Sequence, residues 1–166
     1  MKVLNALLYI PKKLIQTTKN IFESIFLNQY LKQFSINKID AISGYEFEKY
    51  LECLFKAMGC KSVTTKKAHD FGADLLITYK KETMVVQAKL YYSKNVGLSA
   101  VQEAKTSLSY YMGDKAIVIT NSHFTKSAIE LAKTTGVALI DRKKLIALIG
   151  ADKKQKQILF SRYIVT

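Results

Sequence analysis

Tryptophan is absent from the 166 residues, proline occurs once, and cysteine and histidine occur twice each. Cys53 and Cys60 belong to no CxxC pair, and His69 and His123 stand apart, so the four clustered ligands of a structural zinc site are missing. Two isolated thiols fit a reducing cytoplasm, each as a small core residue. Long hydrophobic runs are lacking too. The run from Val3 to Ile10, closed by Pro11, Lys12 and Lys13, is too short to span a bilayer, and no small-residue cleavage site follows it. Neither a transmembrane helix nor a signal peptide is expected, and no internal repeat or low-complexity tract is visible.

Acid is scarce as well. There are 13 Asp plus Glu against 26 Lys plus Arg, a formal charge of +13. The excess is spread along the chain, with +4 over residues 1–35, +6 over 36–150 and +3 over 151–166. A basic surface of this kind favours a polyanion, either nucleic acid or an anionic membrane. What is plentiful is apolar: 49% of the residues, enough for one globular domain with a short appendage.

Three parts are expected: a helical appendage over 1–35, an α/β domain over 36–150 and a basic tail over 151–166. In the first, Leu14, Ile21, Phe22, Ile25, Phe26 and Leu31 recur at helical spacing with lysines among them. That pattern suits a helix packed on the domain or on a second copy, and it also suits a membrane-surface helix. Residues 35–42 read as a connector. Ser43 and Glu46 then form a capping box, and Phe47, Leu51, Leu54, Phe55 and Met58 make the apolar stripe of a helix that Gly59 stops. Strands are expected near 61–66, 73–79 and 83–90, the last two joined tightly at Lys80 and Lys81. A helix over 99–112, a strand over 116–120, a helix over 125–135, a strand over 137–140 and a helix over 142–149 follow. An early hairpin followed by strand–helix alternation predicts a mixed sheet flanked by helices.

In a tight hairpin, the start of the first strand meets the end of the second. Asp74 therefore lies near Gln87 and Lys89, which alternation puts on one face. A polar pair in an otherwise apolar strand costs desolvation energy unless it has partners. These are the parts that phosphodiester hydrolysis requires. A hard cation needs one or two carboxylates, and an ammonium beside it orients water and offsets charge.

Gly44-Tyr-Glu-Phe-Glu48, Asp70-Phe-Gly-Ala-Asp74 and Val86-Gln-Ala-Lys89 together resemble the catalytic domain of Mrr-type restriction endonucleases, in the PD-(D/E)xK nuclease superfamily. Val118-Ile-Thr-Asn-Ser-His-Phe-Thr125 and Leu139-Ile-Asp-Arg142 fit it too, so the resemblance covers about residues 41–149. It implies a restriction-endonuclease-like α/β fold and a Mg²⁺-dependent endodeoxyribonuclease, with Mn²⁺ as substitute and no small-molecule cofactor. Asp74 would be the metal-binding aspartate and Lys89 the catalytic lysine. Gln87 stands where many superfamily members have Glu or Asp, Glu48 is the acid of the first helix, and the Ala88 carbonyl is an added ligand. Restriction or defence is the implied role. A four-way-junction resolvase and a DNA-binding module that does not cut are the alternatives. Lys66, Lys67, Lys94, Gln102 and Lys126 are candidate phosphate contacts. The expected partners are DNA and a second copy of the chain, with residues 1–34 available to a membrane surface or a protein. The expected location is the cytoplasm, at the membrane periphery if those residues bind lipid.

Overall fold

A computed structural model describes residues 12–65 and 72–164. The expected helix over residues 1–34 is present as α1 (Lys12–Leu31); the part of that expectation on residues 1–11 lies outside the described residues. Ser35 then caps α2 (Ile36–Asp40), its Oγ accepting from the Lys38 N–H, which puts a short helix where a connector was expected. Five residues are too few to show a helical period in sequence, although Ile39 is fully buried. In α3 (Gly44–Ala57) the capping box forms as predicted. The Ser43 N–H donates to Glu46 Oε2 at 2.8 Å and the Glu46 N–H donates to Ser43 Oγ at 3.2 Å. The Ser43 N–H and the Ser43 hydroxyl, which donates to the same Oε2 at 2.7 Å, hold the Glu46 carboxyl below its ordinary value.

Strands β1 (Lys61–Thr64), β2 (Leu75–Tyr79) and β3 (Glu82–Lys89) pair antiparallel in sequence order. Helix α4 (Leu98–Tyr110) leads to β4 (Lys115–Thr120), and α5 (Lys126–Thr135) leads to β5 (Val137–Ile140), both strands joining in parallel. The mixed five-stranded sheet has the order β1-β2-β3-β4-β5. Two helices close the described chain, α6 (Arg142–Gly150) and α7 (Lys153–Tyr163). The segment after residue 150, read as a basic tail, thus carries a helix whose Phe160 is fully buried and meets Phe55 and Tyr79 edge-on. Its lysines lie in the first turns and masked a single-anchor apolar face.

Strand alternation sorts the core into two layers. Met84 and Val86 of β3 and Ile117 and Ile119 of β4 face the large core built with α3, α6 and α7. Val85, Ala116 and Val118 face the other way, under Ala100, Val101, Ala104, Ala128 and Ala132 of α4 and α5. The alanines let these two helices lie close to the sheet. By the same parity Gln87 and Lys89 belong to the α4 face. Cys60 is buried in the large core, where desolvation pushes its thiol up to about 12, and both cysteines are free.

Outside this core, α1 packs on α3 through Leu27 and Leu31 while Ile21, Phe22, Ile25 and Phe26 stay exposed. Among the described residues, no helix is long and apolar enough to cross a membrane.

Candidate active site

The site begins with the turn between β2 and β3. Lys80 and Lys81 both have positive φ, 50° and 73°, which makes a two-residue hairpin loop of the kind whose twist matches the strands. That turn pairs Tyr79 with Glu82 and carries the register to Leu75 opposite Val86. The ladder runs one step further, the Asp74 N–H donating to the Val86 carbonyl at 2.9 Å.

Beyond that point β3 continues alone on its β2 side, although Gln87, Ala88 and Lys89 still pair with β4 on the other. The Asp74 carboxylate fills the gap. Its Oδ2 accepts from the Ala88 N–H at 2.7 Å and from Gln87 Nε2 at 2.6 Å. Thr65 fixes the Asp74 backbone from β1's end: its N–H donates to the Asp74 carbonyl at 2.9 Å and its hydroxyl to the Ala73 carbonyl at 2.5 Å.

Gln87 is almost wholly buried, and its Oε1 has no hydrogen-bond partner among the described residues. An orphaned buried acceptor costs about 1–3 kcal/mol, so it calls for an explanation. A cation is one. The Gln87 Nε2 faces both Asp74 Oδ2 and, at 3.5 Å, the Ala88 carbonyl. With the amide turned over, Asp74, the Gln87 oxygen and the Ala88 carbonyl would make an oxygen-only donor set that fits a hard divalent ion completed by water and phosphate oxygens. No group of three His, Cys, Asp or Glu side chains able to hold a metal occurs among the described residues. The carboxylate count here is accordingly low.

Lys89 projects from the same face as Gln87, and its Nζ donates to Glu103 Oε2 of α4 at 2.6 Å. The α4 residue that meets the site is therefore Glu103 and not the expected Gln102. Gln102 lies exposed, lining a groove between α4 and α5 with Lys105 and Leu131. The stripe Val101, Ala104, Leu108 does not separate the two, since both lie about 130° from its centre; burial of Ala100 and Ser107 turns the packed face so that Glu103 flanks it and Gln102 lies opposite.

The structure therefore brings together Asp74, Gln87, Ala88 and Lys89. Glu48 is half-buried on α3, whose neighbours Phe47 and Leu51 belong to the core on the opposite face of the sheet from α4. Lys94 is exposed with its ammonium 4.5 Å from the centre of the Tyr91 ring, and Lys126 is exposed at the start of α5. Lys66 and Lys67 lie outside the described residues.

A polar cavity of about 360 Å³ opens where β3 and β4 end, lined by Asp40, Tyr91, Asn121 and Arg142 among others. Arg142 donates to both Asp40 oxygens, at 2.7 and 2.8 Å, and to the Asn121 carbonyl at 2.8 Å. Asn121 in turn donates to Asp40 and to the Tyr91 carbonyl and accepts from the Tyr91 N–H. Arg142 holds the Asp40 carboxyl below its usual value, against a smaller opposing effect of burial. This network ties α2, the loop after β3, the end of β4 and α6 into one rim beside Lys89. Residues 102 positions apart in sequence gave no hint of it.

A mixed sheet with helices on both faces, carrying an aspartate, a glutamine and a lysine at the open mouth of its hairpin, defines a restriction-endonuclease-like α/β protein. The comparisons agree. Residues 39–149 match the family model of the Mrr-type catalytic domain, described as restriction endonuclease, and the chain belongs to that family. No curated protein matches the chain. Among solved structures it is similar to a protein of unknown function, AF1548, with 15% identity and a TM-score of 0.53 over 60% of this chain. The match spans 58% of that protein's length, and the likeness is one of fold alone.

Proposed function

We propose that the protein is a metal-dependent endonuclease that hydrolyses DNA phosphodiester bonds in a restriction or defence role. The observation that carries this reading is the Asp74 carboxylate, held by two N–H donors at 2.6 and 2.7 Å beside the orphaned Gln87 oxygen and Lys89. Mg²⁺ or Mn²⁺ held by Asp74, Gln87 and the Ala88 carbonyl would neutralise phosphate charge and acidify a bound water. The protein's own contribution is positional. Asp74 is locked by the backbone of β3, so its carboxylate is aimed before substrate arrives. The Lys89 ammonium orients the attacking water and offsets the charge that gathers on the phosphorus oxygens. Attack is in line, with no covalent enzyme intermediate. The +13 charge draws the duplex to the site.

The test is cleavage of supercoiled plasmid, plain and methylated duplex and four-way junctions, with Mg²⁺ or Mn²⁺ present and with metal chelated. Asp74→Ala and Lys89→Ala serve as controls. Metal-dependent nicking that both substitutions reduce by at least about 100-fold is expected. DNA binding without metal-dependent cleavage of any substrate would refute the reading. We further propose a homodimer that buries the exposed face of α1, because cutting both strands of a duplex needs two sites or two visits. Phe22 and Phe26, 74% and 69% exposed, supply the apolar contact.

A further inference from the structure

Gly72, two residues before Asp74, has φ +86°, a backbone conformation that L side chains rarely adopt. A Cβ built there would lie 3.1 Å from both Cβ and the carbonyl oxygen of Glu103. The missing side chain lets α4 press its second turn onto the loop that carries the aspartate. The residue so held is the one whose carboxylate accepts from Lys89 at 2.6 Å. Its helix is fixed from behind by Ala100, Val101, Ala104 and Ser107, all buried against the sheet.

Glu103 is thus clamped by its backbone against the aspartate loop and by its side chain against the lysine. Stability does not account for the arrangement, since partly exposed ion pairs contribute little to it. Direction does. A lysine has a flexible four-carbon stem and a point charge that follows whatever anion is near. DNA presents several phosphates at once, and only one is to be cut. Building on the nuclease reading above, we propose that Glu103 is a positioning residue. Its carboxylate holds the Lys89 ammonium on the Gln87 side of β3, so that the lysine meets the attacking water in one orientation.

The experiment is steady-state cleavage of a duplex by the full chain with Mg²⁺, comparing wild type, Glu103→Ala and the isosteric Glu103→Gln. Glu103→Ala is expected to lower kcat about 10- to 100-fold, with KM unchanged within about twofold. Glu103→Gln keeps an oxygen acceptor for the ammonium and is expected to recover part of the loss. ¹⁵N NMR of the lysine side chains gives a second readout without metal or DNA. The Lys89 ammonium, assigned by its loss in Lys89→Ala, should exchange slowly in wild type and fast in Glu103→Ala. A lower KM with kcat retained in both variants would show that Glu103 only repels phosphate, and would overturn the proposal. So would kinetics indifferent to either substitution. A wild type that does not cleave at all would overturn the nuclease reading and this proposal with it; a cleaving wild type with indifferent variants would overturn this proposal alone.

Discussion

Replacing Gln87 by Glu restores the charged group that many superfamily members carry, and the structure sets what that should cost. Gln87 Nε2 lies 2.6 Å from Asp74 Oδ2, and Gln87 is 5% exposed. The substitution exchanges a donor for a second carboxylate oxygen at that distance. Two full charges so placed would repel by about 6 kcal/mol at an effective dielectric near 20. The protein has a cheaper response, which is to protonate the new carboxyl and let its O–H donate to Asp74. Lifting a carboxyl from its ordinary value near 4.3 to neutrality costs about 3–4 kcal/mol, and this caps the loss. The sign follows from linkage: the folded-state value of the new carboxyl is raised above the unfolded one. The penalty is therefore absent below the unfolded value and grows as pH rises toward the folded one.

Urea unfolding of Gln87→Glu with metal chelated should show a deficit of about 3 kcal/mol at pH 7, shrinking to about 1 kcal/mol at pH 5. Mg²⁺ should recover most of the deficit at pH 7, because a cation between two carboxylates removes the repulsion and binds only the folded chain. A deficit that ignores both pH and Mg²⁺ would refute the account of Gln87 as a neutral ligand beside Asp74.

Gly72→Ala combines a disfavoured φ with a 3.1 Å contact and should lower stability by about 1–3 kcal/mol in thermal unfolding; an unchanged Tm would mean α4 does not bear on the loop. Asp40→Asn leaves Arg142 without its two charged acceptors and should cost about 1–2 kcal/mol at neutral pH. Because the Asp40 carboxyl lies below its ordinary 3.8, the wild type loses this contribution only as pH falls below about 4, so acid titration should bring the two stabilities together there; parallel curves would contradict it. Phe22→Ser with Phe26→Ser should convert a dimer to monomer in sedimentation velocity with the helical circular dichroism retained. Identical sedimentation of both chains would remove α1 as the dimer element, and liposome co-sedimentation would then test the same face against anionic lipid.

The sheet was legible because each long element announces itself twice, by periodicity and by its ends. The stripe of α3 agrees with the capping box Ser43–Glu46, and the two lysines of the hairpin lie between strands whose register follows from the turn. That register put Asp74, Gln87 and Lys89 together from sequence alone. Glu103 and the Asp40–Arg142 pair were not legible, for different reasons. Glu103 is set by how α4 rotates against the sheet, which depends on Gly72 and the small residues beneath the helix. Asp40 and Arg142 meet only because two chain ends converge at one rim, and nothing local encodes that. Gln87 showed its chemistry in sequence, but only the structure shows its oxygen buried without a partner.

Asp74 has two employments that the hairpin makes inseparable. The oxygen suited to a cation also receives the Ala88 N–H where β2 has ended. Lys89 has no such second duty. In a lineage released from the need to cut DNA, the lysine would be free to drift at once. The aspartate would persist as masonry, still closing the strand in descendants that had forgotten the reaction. On the proposed nuclease reading, retention of this aspartate alone is thus poor testimony of activity among relatives, whereas retention of the lysine with its glutamate is better testimony.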